Sequence, residues 1–456
     1  MKTKHTLCRA AARLRLQIAT FATALTLANL VTLVTLALAW PAPSLSQTLP
    51  PAVKAEVDTQ VPPYLDTLKT LVGIESGSRD LEGLAQLASV IEARLKAAGM
   101  STQRIPTKAP DFHPQLKGAV LGDMVYATRE GTGKRSVLLI AHMDTVYTRG
   151  MGAKQPFRVD GDRAYGLGIA DDKSGVALIL HTVALLEKMG FKDYAKLGVL
   201  INGDEELGSP GSGAFITQLG GEYDAVLSFE GGGGGESNFV RLATSSIAIA
   251  EMRVTGRASH AGANPGAGRN ALYELAHQML KTRNFGDPAK GLQIHWTVAN
   301  AGDSRNVIPA SAVAIGDVRS LTNADLDLIE KDLRAAIQSK LIPDTTVELD
   351  FYRSRPAFVP NDVSRALARH ALAVYQEMGT GAGAEPALTV RDRATGGGTD
   401  AAFAGLRPKG GVLERFGARG FGAHSNDNEY IFINSIAPRL YLATRMVMDV
   451  GSGVVN

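Results

Sequence analysis

Cysteine is nearly missing from this 456-residue chain, with Cys8 the single one. It lies ahead of an apolar stretch, where a lipid-attachment cysteine would follow it. The mature chain is therefore expected to have no disulfide and no thiol chemistry, and its stability must come from a packed core, helped where a metal binds. Basic blocks are equally scarce. The net charge is +3, but Lys2, Lys4, Arg9, Arg13 and Arg15 supply five positives with no acid before Glu56, leaving the remainder near −2. Nothing beyond that start can track a phosphate backbone, which argues against nucleic acid as a partner. Phosphate loops are lacking too. Gly131-Thr132-Gly133-Lys134 has no upstream glycine and leads into a strand. The low-complexity run Gly231–Gly235 opens no helix.

What is present fits a globular protein, with 45% hydrophobic and 20% charged residues and a length that allows two or three domains. The basic start leads into an apolar stretch from Leu16 to Trp40, and Ala37-Leu38-Ala39 offers a cleavage site. Residues 1–46 are expected to be a signal peptide or N-terminal anchor with the start of a linker, and 47–63 a Pro-rich linker. The bulk of the chain is then exported, to the periplasm or medium, or held at the membrane if the leader stays uncleaved.

Periodicity predicts helices over Tyr64–Val72, Leu81–Ala98 and Ser174–Met189. Buried strands are predicted at Ser136–Ala141, Leu197–Ile201 and Ala225–Phe229. The alternation indicates an α/β fold whose mixed, largely parallel sheet is flanked by helices. From Ser246 to Tyr352 the rhythm becomes β-α-β-β-α-β, the pattern of a ferredoxin-like α+β domain inserted into the first. The expected division is 64–243 with 354–456 for the main domain and 244–353 for the insert.

The strand ends carry the chemistry. His142 and Asp144 are two apart at the close of a strand, so a period of two puts them on one face. Asp171/Asp172, Glu205/Glu206 and Glu230 follow other strands or open a helix. Alone, Asp171 and Asp172 suit a helix N-terminus, and Glu205 and Glu206 suit a solvated loop. Together they are delivered to one edge of a parallel sheet, where several carboxylates repel unless neutralised. A metal pair does that, and oxygen with imidazole suits zinc. His424 supplies a late imidazole.

These residues lie in ordered motifs: Ala141-His142-Met143-Asp144-Thr145-Val146, Gly168-Ile169-Ala170-Asp171-Asp172-Lys173 and Asp204-Glu205-Glu206. Ser228-Phe229-Glu230, Ala258-Ser259-His260-Ala261-Gly262-Ala263 and Asn306-Val307-Ile308-Pro309-Ala310 continue the series, and Gly396-Gly397-Gly398-Thr399-Asp400 and Gly422-Ala423-His424-Ser425 complete it. The set resembles the di-zinc metallopeptidase family of aminoacylases, succinyl-diaminopimelate desuccinylases and carboxypeptidase G, most of all its glutamate carboxypeptidases. By position, the resemblance implies two zinc ions per subunit, His142 and Glu230 holding one, Glu206 and His424 the other, and Asp171 bridging. The residues alone do not choose within the acid pairs.

The resemblance further makes Asp144 the support of His142, and Glu205 the general base acting on a zinc-bridged water. His260 then reaches the partner's site in a homodimer, making the insert a lid and dimerisation domain. Asn306, Arg319, Arg355, Gly397, Gly398 and Thr399 are the expected substrate contacts, since a guanidinium fork and glycine N–H groups suit a terminal carboxylate. The implied activity is release of a C-terminal amino acid, glutamate foremost, from N-acyl or folate-like substrates. The alternatives are an aminoacylase or dipeptidase, or a pseudoenzyme that only binds amino-acid derivatives. Gly231–Gly235 departs from the family, whose members carry less flexible residues there, and is expected to loosen the pocket rim. His113, His181, His277, His295 and His370 match no motif and are expected to be structural.

Overall fold

The computed structural model describes residues 51–378, 385–425 and 427–455. The leader, its cleavage site and residues 47–50 of the expected linker lie outside them. The rest of that linker is not a linker. Pro51–Asp58 and Val61–Val72 are helices, with Pro62 and Pro63 in the first turn of the second. Proline is tolerated there because those N–H groups have no intrahelical acceptor. Tyr64, Leu68, Leu71 and Val72 bury the inner face of that helix.

The predicted core strands form the centre of an eight-stranded mixed sheet. Ser136–His142 lies between Lys196–Gly203 and Ala225–Ser228, parallel to both, and Gly411–Glu414 runs parallel to Ala225–Ser228. Every residue of Ser136–His142 is buried, as a strand covered on both faces requires. On one face Leu138, Ile140, Leu200 and Val226 pack with Ile216, Leu219, Ala401 and Ala402. The helices Ser174–Lys188 and Ile436–Gly451 pack on each other and on the same central strand. Val120–Glu130 adds an antiparallel strand, and Ser101–Lys108 forms the edge beyond it. That edge strand escapes periodicity because it is mostly polar and holds Pro106. The register shifts between Ile105 and Thr107, around the proline, which has no N–H to give the ladder.

Residues 246–355 build a separate five-stranded antiparallel sheet. Its four long strands lie in the order Leu292–Ala301, Ser311–Ser320, Ser246–Thr255, Thr346–Arg355, with every adjacent pair antiparallel. That is the order a β-α-β-β-α-β chain takes when both helices cover one face. Ala248, Ala250, Met252 and Val254 point alternately inward and meet Leu275, Leu326, Ile329 and Leu333 of the helices Ala271–Thr282 and Asn323–Ala336. The two crossings of the chain are tied together, since Thr244 and Phe358 exchange backbone hydrogen bonds of 3.3 and 3.2 Å. The last strand ends at Arg355, two residues beyond the expected boundary, and that extension carries a charged side chain into the main domain.

A four-stranded sheet of two- and three-residue strands, Gly420–Phe421, Tyr430–Phe432, Arg163–Tyr165 and Arg158–Asp160, escapes the sequence because each is too short to show a period. It holds both ends of the loop that carries His424. Among the described residues no helix is long and apolar enough to cross a membrane.

Candidate metal centre

The sheet delivers its acids to one edge. His142 is the last residue of the central strand, Glu205 opens a short helix two residues after Gly203, and Glu230 lies two residues past Ser228. Asp171 sits in the turn before Ser174–Lys188, and its peptide bond to Asp172 is cis. His424 enters from the opposite loop at φ +65°.

Asp171 stands between two imidazoles. Its Oδ1 is 3.0 Å from His142 Nε2, and its Oδ2 is 3.3 Å from His424 Nε2. Glu230 lies 3.6 Å from the first imidazole, and Glu206 3.2 Å from the second. The donors thus gather as His142, Glu205 and Glu230 on one side and Asp171, Glu206 and His424 on the other, each set within 4.8 Å. Asp172 does not join them. It is fully buried, its Oδ2 accepts the His142 backbone N–H at 3.4 Å, and its Oδ1 has no partner.

The electrostatics are those of a site made for cations. Against burial, which favours the neutral ring, Asp144, Asp171 and Glu230 push His142 well above its ordinary pKa. Asp171 and Glu206 raise His424 to about 10. Despite its own burial, Asp171 is held well below the usual carboxylate range by the two imidazoles. Burial pushes Glu205 and Asp172 up instead. Glu206 Oε1 is buried without a hydrogen-bond partner. Two imidazoles and a crowd of oxygen donors, one of them unpartnered, fit zinc.

Residues 138–449 match the family described as Peptidase family M20/M25/M40. The chain belongs to this family. It is 44% identical over 400 residues to carboxypeptidase G2 of Pseudomonas sp. (strain RS-16), covering 88% of this chain and 92% of that one. It is 27% identical over 360 residues to the succinyl-diaminopimelate desuccinylase of Methylorubrum extorquens (strain PA1), covering 74% and 87%. Among solved structures, aminopeptidase PepT from Bacillus cereus superposes with a TM-score of 0.67 at 16% identity, over 86% of this chain and 98% of that one. The M20 family metallo-carboxypeptidase Sso-CP2 from Sulfolobus solfataricus gives 0.64 at 17%, over 84% and 98%. At that identity the structures speak for the fold alone.

As an M20 metallopeptidase the chain is a metal-dependent hydrolase. Around its donors, Asp144 does more than the sequence suggests. His142 Nδ1 is 3.0 Å from the Asp144 carbonyl oxygen and 3.4 Å from its carboxylate. The carboxylate itself accepts the Ser78 hydroxyl at 2.7 Å and the backbone N–H groups of Glu205 and Glu206 at 3.1 Å each. One buried acid therefore anchors both the strand end and the acidic loop. Glu429, which no motif singles out, does the same for Asp171. It accepts the N–H groups of Gly168, Ala170 and Asp171 and the Tyr147 hydroxyl, and burial raises it to about 7.

The expected substrate contacts divide. Arg355 is buried in an ion pair with Glu205 Oε1 at 2.6 Å and donates to the Glu205 carbonyl as well, so its guanidinium is already engaged. Thr399 is buried and gives its hydroxyl to Glu414. Arg319 donates to Asp317 and to the Gly396 carbonyl, beside Gly397 and Gly398. At Gly398 a Cβ would come within 2.8 Å of Arg355 Cδ, so only glycine fits. His260 pairs with Val307 across the short strand pair 259–260 and 307–308, and the Asn306 carbonyl beside it accepts the Ala261 N–H at 2.8 Å. His260 and Asn306 are both exposed, and neither bonds to the donor cluster among the described residues. Of the histidines without a motif, His113, His181 and His370 have local partners.

The glycine run is held rather than loose, contrary to expectation. Arg415 donates to the Gly231 carbonyl, Arg439 to that of Gly232 and Arg419 to that of Gly235. A Cβ on Gly232 would lie 2.3 Å from Arg439 Nη2 and 2.6 Å from the Gly417 carbonyl oxygen, with Arg439 fully buried. Gly232→Ala is expected to lose about 2 kcal/mol of stability, read as a drop in thermal midpoint. An unchanged midpoint would show that the run can yield.

Proposed function

We propose that this chain is a zinc-dependent exopeptidase that removes a C-terminal amino acid, glutamate foremost, from N-acyl or folate-like substrates. The observation that carries it is Asp171, with one oxygen on each of two imidazoles, and Glu205 grouped with the His142 imidazole and Glu230. His142 and Glu230 would hold one zinc, Glu206 and His424 the other, and Asp171 both. Zinc bound there supplies a Lewis acid that polarises the scissile carbonyl and makes water acidic near neutral pH.

Glu205 takes the proton of the attacking water on its carboxylate and returns it to the leaving nitrogen. Burial raises its pKa, which suits a group that must hold a proton between two steps, while the Arg355 guanidinium opposes that rise. Asp144 fixes the backbone of Glu205, and so the aim of its carboxylate.

Residues 244–353 act as lid and dimerisation domain in this reading. His260 Nδ1 accepts the N–H groups of Gly262 and Ala263, at 3.1 and 3.0 Å. The neutral ring then carries its proton on Nε2, leaving a donor for the oxyanion that forms at the partner subunit's site in a homodimer. Asn306, the backbone of Gly397 and Gly398, and Arg319, a half-buried guanidinium that would exchange Asp317 for the ligand, receive the terminal carboxylate. Arg355 is assigned to Glu205 rather than to substrate. The N-terminal stretch read as a leader supports export.

A substrate panel tests the reading: folate and methotrexate, N-acyl amino acids, and dipeptides with a free amine. Glutamate-terminated N-acyl compounds are expected to exceed the dipeptides at least about tenfold in kcat/KM. Preference for dipeptides would move the protein to the dipeptidase branch.

A further inference from the structure

Beside the donor cluster lies a cavity of about 570 Å³, lined by Asp171 and Glu230 on one side and by Arg241, Arg391, Arg415 and the glycine run on the other. The three guanidinium carbons stand 3.7 Å (Arg391), 5.5 Å (Arg241) and 5.8 Å (Arg415) from the centre of one ring, that of Phe239. Their hydrogen bonds go to uncharged groups: Arg241 to Thr395, Arg391 to Ser237 and Arg415 to the Gly231 carbonyl. Among the described residues no carboxylate ion-pairs with any of them, although nearly every other buried arginine of the main domain has one. Arg241 is 5% exposed, and its Nε has no partner, nor has that of Arg415. The backbone adds further donors. The N–H groups of Gly233, Gly234 and Gly235 have no protein acceptor among the described residues, and Gly233 and Gly235 have φ of +122° and +58°.

Buried Glu414 and Glu230 offset part of the charge on Arg241, and Glu414 part of that on Arg415, but among the described residues neither forms an ion pair with them. The three guanidiniums crowded on one ring still repel each other, and an anion among them relieves that. Forked N–H donors and a curl of backbone N–H groups both match a carboxylate. We propose that this pocket is a second anion subsite, which takes a side-chain carboxylate of the substrate while Arg319 and the Gly397–Gly398 backbone take the terminal one. The assignment rests on the hydrolase reading above. The cavity opens onto Asp171 and Glu230, so a ligand anchored by its side chain keeps its amide at the donor cluster. This makes an acidic residue, rather than any C-terminal residue, the group the chain is built to release.

The test compares N-benzoyl-glutamate with N-benzoyl-glutamine, matched in size and different in charge, on the zinc-loaded wild type, Arg391→Gln and Arg241→Gln. The glutamate-to-glutamine ratio of kcat/KM is expected to fall about tenfold or more in each variant, the size of a charged hydrogen bond, with part restored in Arg391→Lys. Arg391 is exposed, so its variants keep the test alive if Arg241→Gln fails to fold. A ratio unchanged in the folded variants would overturn the subsite. Calorimetric binding of glutarate and of inorganic phosphate separates this from the hydrolase reading. Glutarate weakened about tenfold by Arg391→Gln supports the subsite even if neither benzoyl compound is cleaved. Phosphate weakened while glutarate is not would assign the pocket to a free inorganic anion and overturn the proposal.

Discussion

Glu205→Gln is expected to lose about a thousandfold in kcat while still binding its metal. The amide keeps the shape of the carboxylate but can neither take a proton from water nor return one to the leaving amine. The other donors on its side of the cluster, His142 and Glu230, are untouched, so metal content should persist. The change also removes the charge that faces Arg355 at 2.6 Å, leaving that buried guanidinium with Asp400 at 3.8 Å. A loss of about 3 kcal/mol in stability follows from stranding a buried charge. The two effects are separable, since kcat is measured on the folded fraction and stability by thermal unfolding. Turnover near that of the wild type would take Glu205 out of the base role, whatever the midpoint does.

Metal removal is expected to abolish hydrolysis altogether and to make the protein's metal affinity strongly pH-dependent. Asp171, Glu205, Glu206 and Glu230 converge at the sheet edge, and in the stripped chain the balancing charge comes from protons. His424 titrates at about 10 there, and His142 well above its ordinary value, so both rings are protonated at neutral pH. Zinc binds only the neutral ring. Its uptake near pH 7 therefore releases protons, and affinity falls as pH falls. Calorimetry in buffers of different ionisation heat measures that release. Zinc uptake with no proton released would contradict the placement of the two histidines as ligands.

Much of the frame was legible because its strands are long and covered on both faces. Ser136–His142 reads as a buried run, and the acids after it and its neighbours announce a common edge. The choice within acid pairs was not legible, because Asp171 and Asp172 differ only in where the backbone aims them. One faces two imidazoles, and the other is buried beneath the His142 N–H. Supports such as Glu429 leave no trace either, since their partners are backbone N–H groups more than 250 residues away. The sequence also could not reveal that Arg355 closes on Glu205, because that contact depends on the last strand of the five-stranded sheet running on into the main domain. The glycine run misled for the same reason. Flexibility is a property of glycine in isolation, and here three arginines from distant segments take its carbonyls.

The most direct measurement is a zinc titration of chelator-stripped protein, following hydrolysis of an N-acyl-glutamate and metal content together. Two donor groups sharing Asp171 predict no turnover in the stripped protein and recovery that saturates at two zinc ions per chain. Full turnover by protein shown to hold no metal would contradict the account.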